Sequence, residues 1–289
     1  MRHGQVPYNA AGHPLYQEAL ALMQKEAALP TPTWRKSAIR PADLQVIRRE
    51  SNGGPFDRLN LRNEMSATVA EGRGRIFAHE SAVGRIITLT DLPYDPTPLR
   101  EWGRIMRLFG KPPAGGKRPQ ILWFAARQPR HWPAHGQPAG PEHINGGYCM
   151  ACQPDTVVIY RYEDATRVLI HELLHGFCTD LPMGPGNSLE QLESATEAWA
   201  EIMLAAGREV GVAAPRPIRG ALAAQLQWTA LQNLRLKRDH GVRGPADYSW
   251  RYTVGKEDAL RALGFPPYIR KYKNVGLRLT PPISRNEVF

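Results

Sequence analysis

The chain has 289 residues, of which 42% are hydrophobic and 22% charged, which excludes a disordered tail protein and a collagen-like chain. Its longest apolar runs fall well short of the ~18 residues a membrane helix needs, and the N-terminal MRHGQVPYNAAGHPLYQ has no apolar stretch of the signal-peptide kind. The three cysteines, an odd number, argue against a secreted disulfide scaffold, so the expectation is a cytoplasmic or otherwise intracellular protein with no membrane partner.

Net charge is +10, from 37 basic and 27 acidic residues, but the basic residues are scattered and never form a long run. An arginine-rich surface that contacts nucleic acid is one reading; a merely basic, soluble surface is the plainer one. Proline punctuates the chain. Pro14 to Leu29 reads as a helix closed by Pro30 and Pro32. Residues from about 33 to 82 are polar and rich in Gly and Arg, so 1–82 reads as an arm or a loosely packed subdomain. VGRIITLTDL, from Val83, reads as a strand. Asp95 to Gly110 reads as a helix with an acidic start and a glycine stop. Ile121 to Ala126 is a compact strand, followed by a long Pro-rich loop carrying His131, His135 and His143. Gly147 to Cys152 and Thr156 to Tyr160 read as two more strands. A helix then begins near Glu163 and runs through RVLIHELLHGF. After the loop PMGPGN, Ser188 and Gln191 form a capping box that opens a helix to about Ala206. Further helices are predicted over 217–238 and 256–263, and 266–289 reads as an irregular tail.

His171-Glu172-Leu173-Leu174-His175 has the H-e-x-x-h spacing of a metal-binding helix. Histidines four apart sit one helical turn apart on one face, so both imidazoles can reach one metal ion. Glu172 lies on a neighbouring flank, where it can take a proton from an activated water rather than ligate. Zinc (one ion per chain) fits, because neutral imidazole is a good ligand and an open position can hold that water. The third ligand decides the class. Cys178 and Leu181 stand where a metzincin continuation needs Gly and His, and His240 is too remote to serve. A carboxylate must do so. Glu190, Glu193, Glu197 and Glu201 lie at helical spacing on one stripe, opposite an apolar stripe of Leu192, Ala195, Trp199 and Met203 expected to face the core.

Thr196-Glu197-Ala198-Trp199-Ala200-Glu201-Ile202-Met203 resembles the N-E-G-W/F-A-E segment of the gluzincins, the thermolysin-like and aminopeptidase-like zinc peptidases. The resemblance is strong over about 165–205 and, by element order, looser over 83–205. The chain departs from the pattern at Thr196 and Ala198, where Asn and Gly are usual. The resemblance implies Glu197 as third zinc ligand, with Glu193 as the alternative one turn earlier. It implies an α+β, zincin-like fold: a small mixed sheet, an active-site helix and a mainly helical C-terminal subdomain, spanning residues 83–265. It also implies an edge strand, here Gly146 to Cys152, that pairs with an extended polypeptide substrate.

Gluzincins stabilise the oxyanion with a Tyr or His from the second subdomain; His240, Tyr248 and Tyr252 are the candidates, and the sequence does not choose among them. Glu201 or Glu193 can accept the second N–H of a ligand histidine. Cys149-x-x-Cys152 lacks the second pair of a structural zinc site and reads as buried or edge-strand thiols. The His-bearing loop is either plain solvent-exposed loop or a lid. The best reading is a zinc peptidase, an endopeptidase rather than an exopeptidase, with Glu172 as general base. The alternative is a basic structural or nucleic-acid-associated protein in which zinc staples a zincin fold.

Overall fold

The Ile-, Val- and Leu-rich runs form the middle of one six-stranded mixed sheet in a computed structural model that describes residues 10–110, 118–180, 188–271 and 273–282. The strands are β1 (Arg35–Lys36), β2 (Arg75–Ser81), β3 (Gly84–Thr90), β4 (Gln120–Phe124), β5 (Gly147–Met150) and β6 (Gln153–Ile159), in the spatial order β1-β2-β3-β4-β6-β5. β3, β4 and β6 run parallel; the other neighbours are antiparallel. β3 is buried along its whole length, Arg85, Thr88 and Thr90 included, as befits a central strand covered on both faces. β5 lies at the sheet's edge.

Alternation along β6 shows how the two faces are covered. Val157 and Ile159 face a large core with Trp102, Trp123 and Leu169, built with α1 (Pro14–Ala28), α4 (Leu99–Leu108), α6 (Ala165–Gly176) and α7 (Leu189–Glu209). Val158 and Tyr160 face Ile47, Leu61 and Met65 from α2 (Pro41–Ser51) and α3 (Leu61–Ala70). The one-turn helix α5 (Pro141–Ile144) precedes β5. Helices α8 (Ala221–Asp239) and α9 (Val254–Ala262) pack with α7 to complete a mainly helical C-terminal region. The architecture is the α+β arrangement the sequence predicts.

Three expectations change. Residues 35–81, read as part of an arm or loose subdomain, supply two strands and two helices, and the boundary expected after 82 falls in the β2–β3 hairpin, paired over its full length. The polar sequence conceals these elements because charged residues on them are buried in ion pairs: Arg62 of α3 with Asp57, and Asp43 of α2 with Arg85 of β3. The cysteines are not all thiols: Cys152 and Cys178 form a disulfide, and Cys149 is free. Disulfides persist in oxidising compartments, which counts against a cytoplasmic location. Among the described residues no helix is long and apolar enough to cross a membrane. The PMGPGN loop between α6 and α7 lies almost wholly outside the described residues, as does the end of the tail.

The start of α6 is fixed from below by Asp164, whose side chain is fully buried. Its carboxylate accepts hydrogen bonds from Leu279 N (2.7 Å), Thr280 Oγ1 (2.7 Å) and Arg130 Nη1 (3.2 Å). One side chain thus ties the metal-site helix to the segment at 277–280. Burial opposes the charged form, but Arg130 and Arg278 outweigh it and hold the Asp164 pKa below its usual value. A depressed folded pKa contributes stability above the unfolded value near pH 4, and that stability is lost as pH falls through the folded value. Asp164→Ala is expected to cost about 3–5 kcal/mol at neutral pH, because it removes a buried partner of Arg130, which keeps only Glu163, and leaves Leu279 N and Thr280 Oγ1 without their acceptor. The deficit relative to wild type should narrow in acid; urea unfolding at neutral and acidic pH measures both.

Candidate metal centre

α6 runs Ala165–Gly176 and carries His171 and His175 one turn apart, both facing α7. Their Nε2 atoms are 3.1 Å apart. Glu193, in the second turn of α7, places Oε2 at 3.5 Å from His171 Nε2 and 3.6 Å from His175 Nε2. The Ser188–Gln191 capping box predicted from sequence sets where α7 begins, and hence where Glu193 points. Together His171, His175 and Glu193 can hold a metal ion. Donor atoms around a tetrahedral zinc at ~2.0–2.1 Å stand about 3.3 Å apart. The observed triangle is of that size, so the residues present fit zinc.

The carboxylate that closes the triangle is therefore Glu193, the alternative one turn before the Glu197 that the resemblance implies. Glu197 does not face both imidazoles. Its carboxylate is bound by Arg167 Nη1 at 2.8 Å and by Arg167 Nη2, and it lies 3.1 Å from His171 Nδ1, near enough to pair with that imidazole though poorly aligned as a hydrogen bond. Asp180 Oδ2 takes the matching place on His175, 2.5 Å from its Nδ1. Each imidazole thus has Nε2 turned to the centre and Nδ1 turned to a carboxylate, the arrangement that fixes tautomer and ring orientation at metal sites. Neither Glu201 nor Glu193 has this supporting role. Glu201 is buried against Lys256 Nζ (2.5 Å) and Thr229 Oγ1 (3.3 Å). The glutamate stripe is not a solvated face: Glu197 and Glu201 are 2% and 1% exposed, while Leu192, Ala195, Trp199 and Met203 are only partly buried.

Burial disfavours charge on both Glu193 and His175, but their mutual contacts prevail. The imidazoles hold the Glu193 carboxyl well below the usual range. Asp180 and Glu193 raise His175 to about 10. Uptake of a metal at neutral pH thus displaces a proton from this pair. Burial is also the main influence on Glu172, and there it wins: the two neighbouring imidazoles only partly offset it, and the pKa is raised. That is the direction a general base near neutrality needs. Glu172 lies beside Gly147 of β5. A Cβ on Gly147 would sit 2.6 Å from Val168 Cγ1 and 3.3 Å from Glu172 Oε1, so only glycine lets the edge strand press this closely on the helix.

These groups open on a cleft of about 290 Å³ between β5, α6 and α7. Of the three oxyanion candidates, Tyr252 lines the cleft. Burial, reinforced by the nearby Glu193, raises its pKa, so it is a neutral phenol. Tyr248 stands behind it, ring centroids 5.6 Å apart, and donates its hydroxyl to Asn145 Oδ1 (2.7 Å). His240 is not at the site. It caps α8, stacks on Trp132 and has Nδ1 2.9 Å from Gln137 O. His131, His135 and His143 do not line the cleft; Ile144, Asn145 and Gly146 at the end of their loop do. Sequence reading missed Asp180, Arg167 and Phe56. Arg167 shares the spacing of His171 and His175, a signal that could have placed it; the other two have no periodic signature.

Comparison with known proteins returns no match: no protein family, no curated protein and no solved structure. The function must be argued from the site itself.

Proposed function

We propose that the chain is a zinc-dependent peptidase of gluzincin type, with His171, His175 and Glu193 holding the metal. The observation that carries this reading is the combination at one cleft. A zinc-sized His-His-Glu triangle with carboxylates behind both imidazoles lies beside a buried glutamate that ligates nothing. Glu193 follows His175 by 18 residues, so the motif keeps the order of the resemblance while moving its carboxylate.

When bound, zinc supplies a Lewis acid that polarises a carbonyl and lowers the pKa of water. The remaining work falls to this chain's side chains. Glu172 accepts the proton of the attacking water and then donates it to the leaving amine. Tyr252, the candidate that lines the cleft, would turn its hydroxyl from Tyr248 to the oxyanion that develops on the scissile carbonyl. Asp180 and Glu197 keep both imidazoles in the ligating tautomer. β5 offers a strand edge on which an extended polypeptide can lie.

The test uses the whole protein, loaded with zinc and incubated with unfolded casein. Cleavage is expected, lost with a chelator and restored by added zinc. Bound zinc without cleavage near neutral pH would instead assign the metal a structural role.

A further inference from the structure

Exposed large apolar side chains gather at the mouth of the cleft: Phe56 (49% exposed), Met150 (66%) and Leu189 (58%). Such side chains converging on one opening mark a binding surface. Phe56 is the one whose position is most strongly fixed. Its carbonyl accepts from Asn145 Nδ2 at 3.1 Å and from the Tyr160 hydroxyl. Its loop is closed by the Gly54–Asp57 bridge and by Asp57, which accepts from Leu61 N and Arg62 N. Its ring stacks on Tyr148, centroids 5.8 Å apart and 23° between planes. Tyr148 is itself held, its hydroxyl donating to Glu50 Oε2 at 2.5 Å and accepting from Arg62. A backbone this tightly fixed, carrying a ring left half in water, is arranged for a ligand rather than for the core.

The strand geometry says which ligand. Tyr160 N donates to Gly146 O (2.8 Å), so the Gly146–Tyr160 pair is a hydrogen-bonded one. By antiparallel alternation Tyr148 also faces β6, while the amide and carbonyl of Gly147 and Cys149 point out from the free edge of the sheet. A peptide laid along that edge has alternate side chains on opposite faces. On one face Cys149 marks the side of α6 and the metal residues; on the other, Tyr148 marks the side of α2 and α3.

We propose that the Phe56–Tyr148 pair is a subsite for a bulky apolar side chain of an extended peptide, on the sheet face away from the metal. It selects substrates with Phe, Leu or Tyr at one position and its alternate neighbours. The proposal rests on the peptidase reading for its biological use, but not for its test.

The test is a phenylalanine scan of fluorescein-labelled alanine octapeptides, with anisotropy measured on zinc-loaded Glu172→Gln protein and on the same protein carrying Phe56→Ala. Phe at one position, repeated two residues away, is expected to tighten binding about 10-fold over the all-alanine peptide, the effect of partly burying one ring. Phe56→Ala should reduce that preference to within about 2-fold, and Phe56→Leu should keep part of it. Unchanged melting of the variants would exclude a folding defect. A flat scan, or a preference that survives Phe56→Ala, overturns the subsite. The same peptides incubated with zinc-loaded wild type separate the two ideas. No cleavage with a Phe56-dependent preference sinks only the peptidase reading. Cleavage without that preference sinks only the subsite.

Discussion

Glu193→Ala is expected to remove stoichiometric zinc from the protein, whereas Glu197→Ala is expected to retain a zinc site of lower affinity and lose folding stability instead. The two carboxylates are one turn apart on α7 yet do different work. Glu193 Oε2 is within 3.6 Å of both imidazole Nε2 atoms, and no other carboxylate closes that triangle among the described residues. Its removal leaves two ligands and should weaken zinc binding by more than the 10–100-fold typical of an outer-shell change, that is beyond about 100-fold. Glu197 instead balances Arg167, whose side chain is 2% exposed, and supports His171 from behind. Removing it strands a buried guanidinium, at a cost of about 3–5 kcal/mol. It also removes the carboxylate 3.1 Å from His171 Nδ1, which should weaken zinc by about 10–100-fold while leaving one ion per chain at saturating metal. Zinc per chain after gel filtration, competition with a chromophoric chelator and urea unfolding give the three readouts. Zinc lost from Glu197→Ala but kept in Glu193→Ala would return the ligand to the position suggested by the sequence motif.

That displacement by a turn shows where sequence reasoning reaches its limit. The helix holding His171 and His175, the Val-Val-Ile strand before it and the capping box at Ser188 are all local patterns, and they appear where the residues predict. Which glutamate on α7 meets the imidazoles depends on how the helix is rolled, and that is set by distant partners. Arg167 claims Glu197 and Lys256 claims Glu201, two buried ion pairs of which only the first has a periodic cue, Arg167 standing one turn before His171. The same blindness hid the N-terminal half of the sheet. A charged residue reads as surface unless its partner is known, and Arg62 of α3 and Asp43 of α2 are both inside. Local cues at α2 were present, with Pro41 at the first helical position and Asp43 accepting from Arg40 N at 2.7 Å. Asp180 follows the end of α6 in a loop, where position depends on the fold alone. The pairing of Cys152 with Cys178 likewise needs the β5–β6 turn to meet the end of α6; both Cys152 N and Cys178 N donate to His175 O at 3.0 Å.

Glu172→Gln is the change expected to separate metal binding from chemistry. The substitution keeps the side chain's size and removes only its basicity, and Glu172 is not among the metal-holding atoms, so zinc affinity should stay at the wild-type value. Turnover of casein should fall by about 10²–10⁴-fold, the contribution of a positioned general base. Stability offers an independent check on the burial of this group. A carboxyl whose folded pKa is raised contributes stability below its unfolded pKa and loses it as pH rises through the folded value. Wild type gives up that contribution as pH rises, and the uncharged glutamine does not. The variant should therefore be at least as stable as wild type at neutral pH, with the advantage vanishing in acid. In wild type the acid limb of kcat/KM should report Glu172, because activity is lost as Glu172 takes up a proton. A Glu172→Gln protein that holds zinc, melts no lower than wild type and is inactive identifies the base. One that holds zinc and still cleaves casein at the wild-type rate would remove Glu172 from the mechanism.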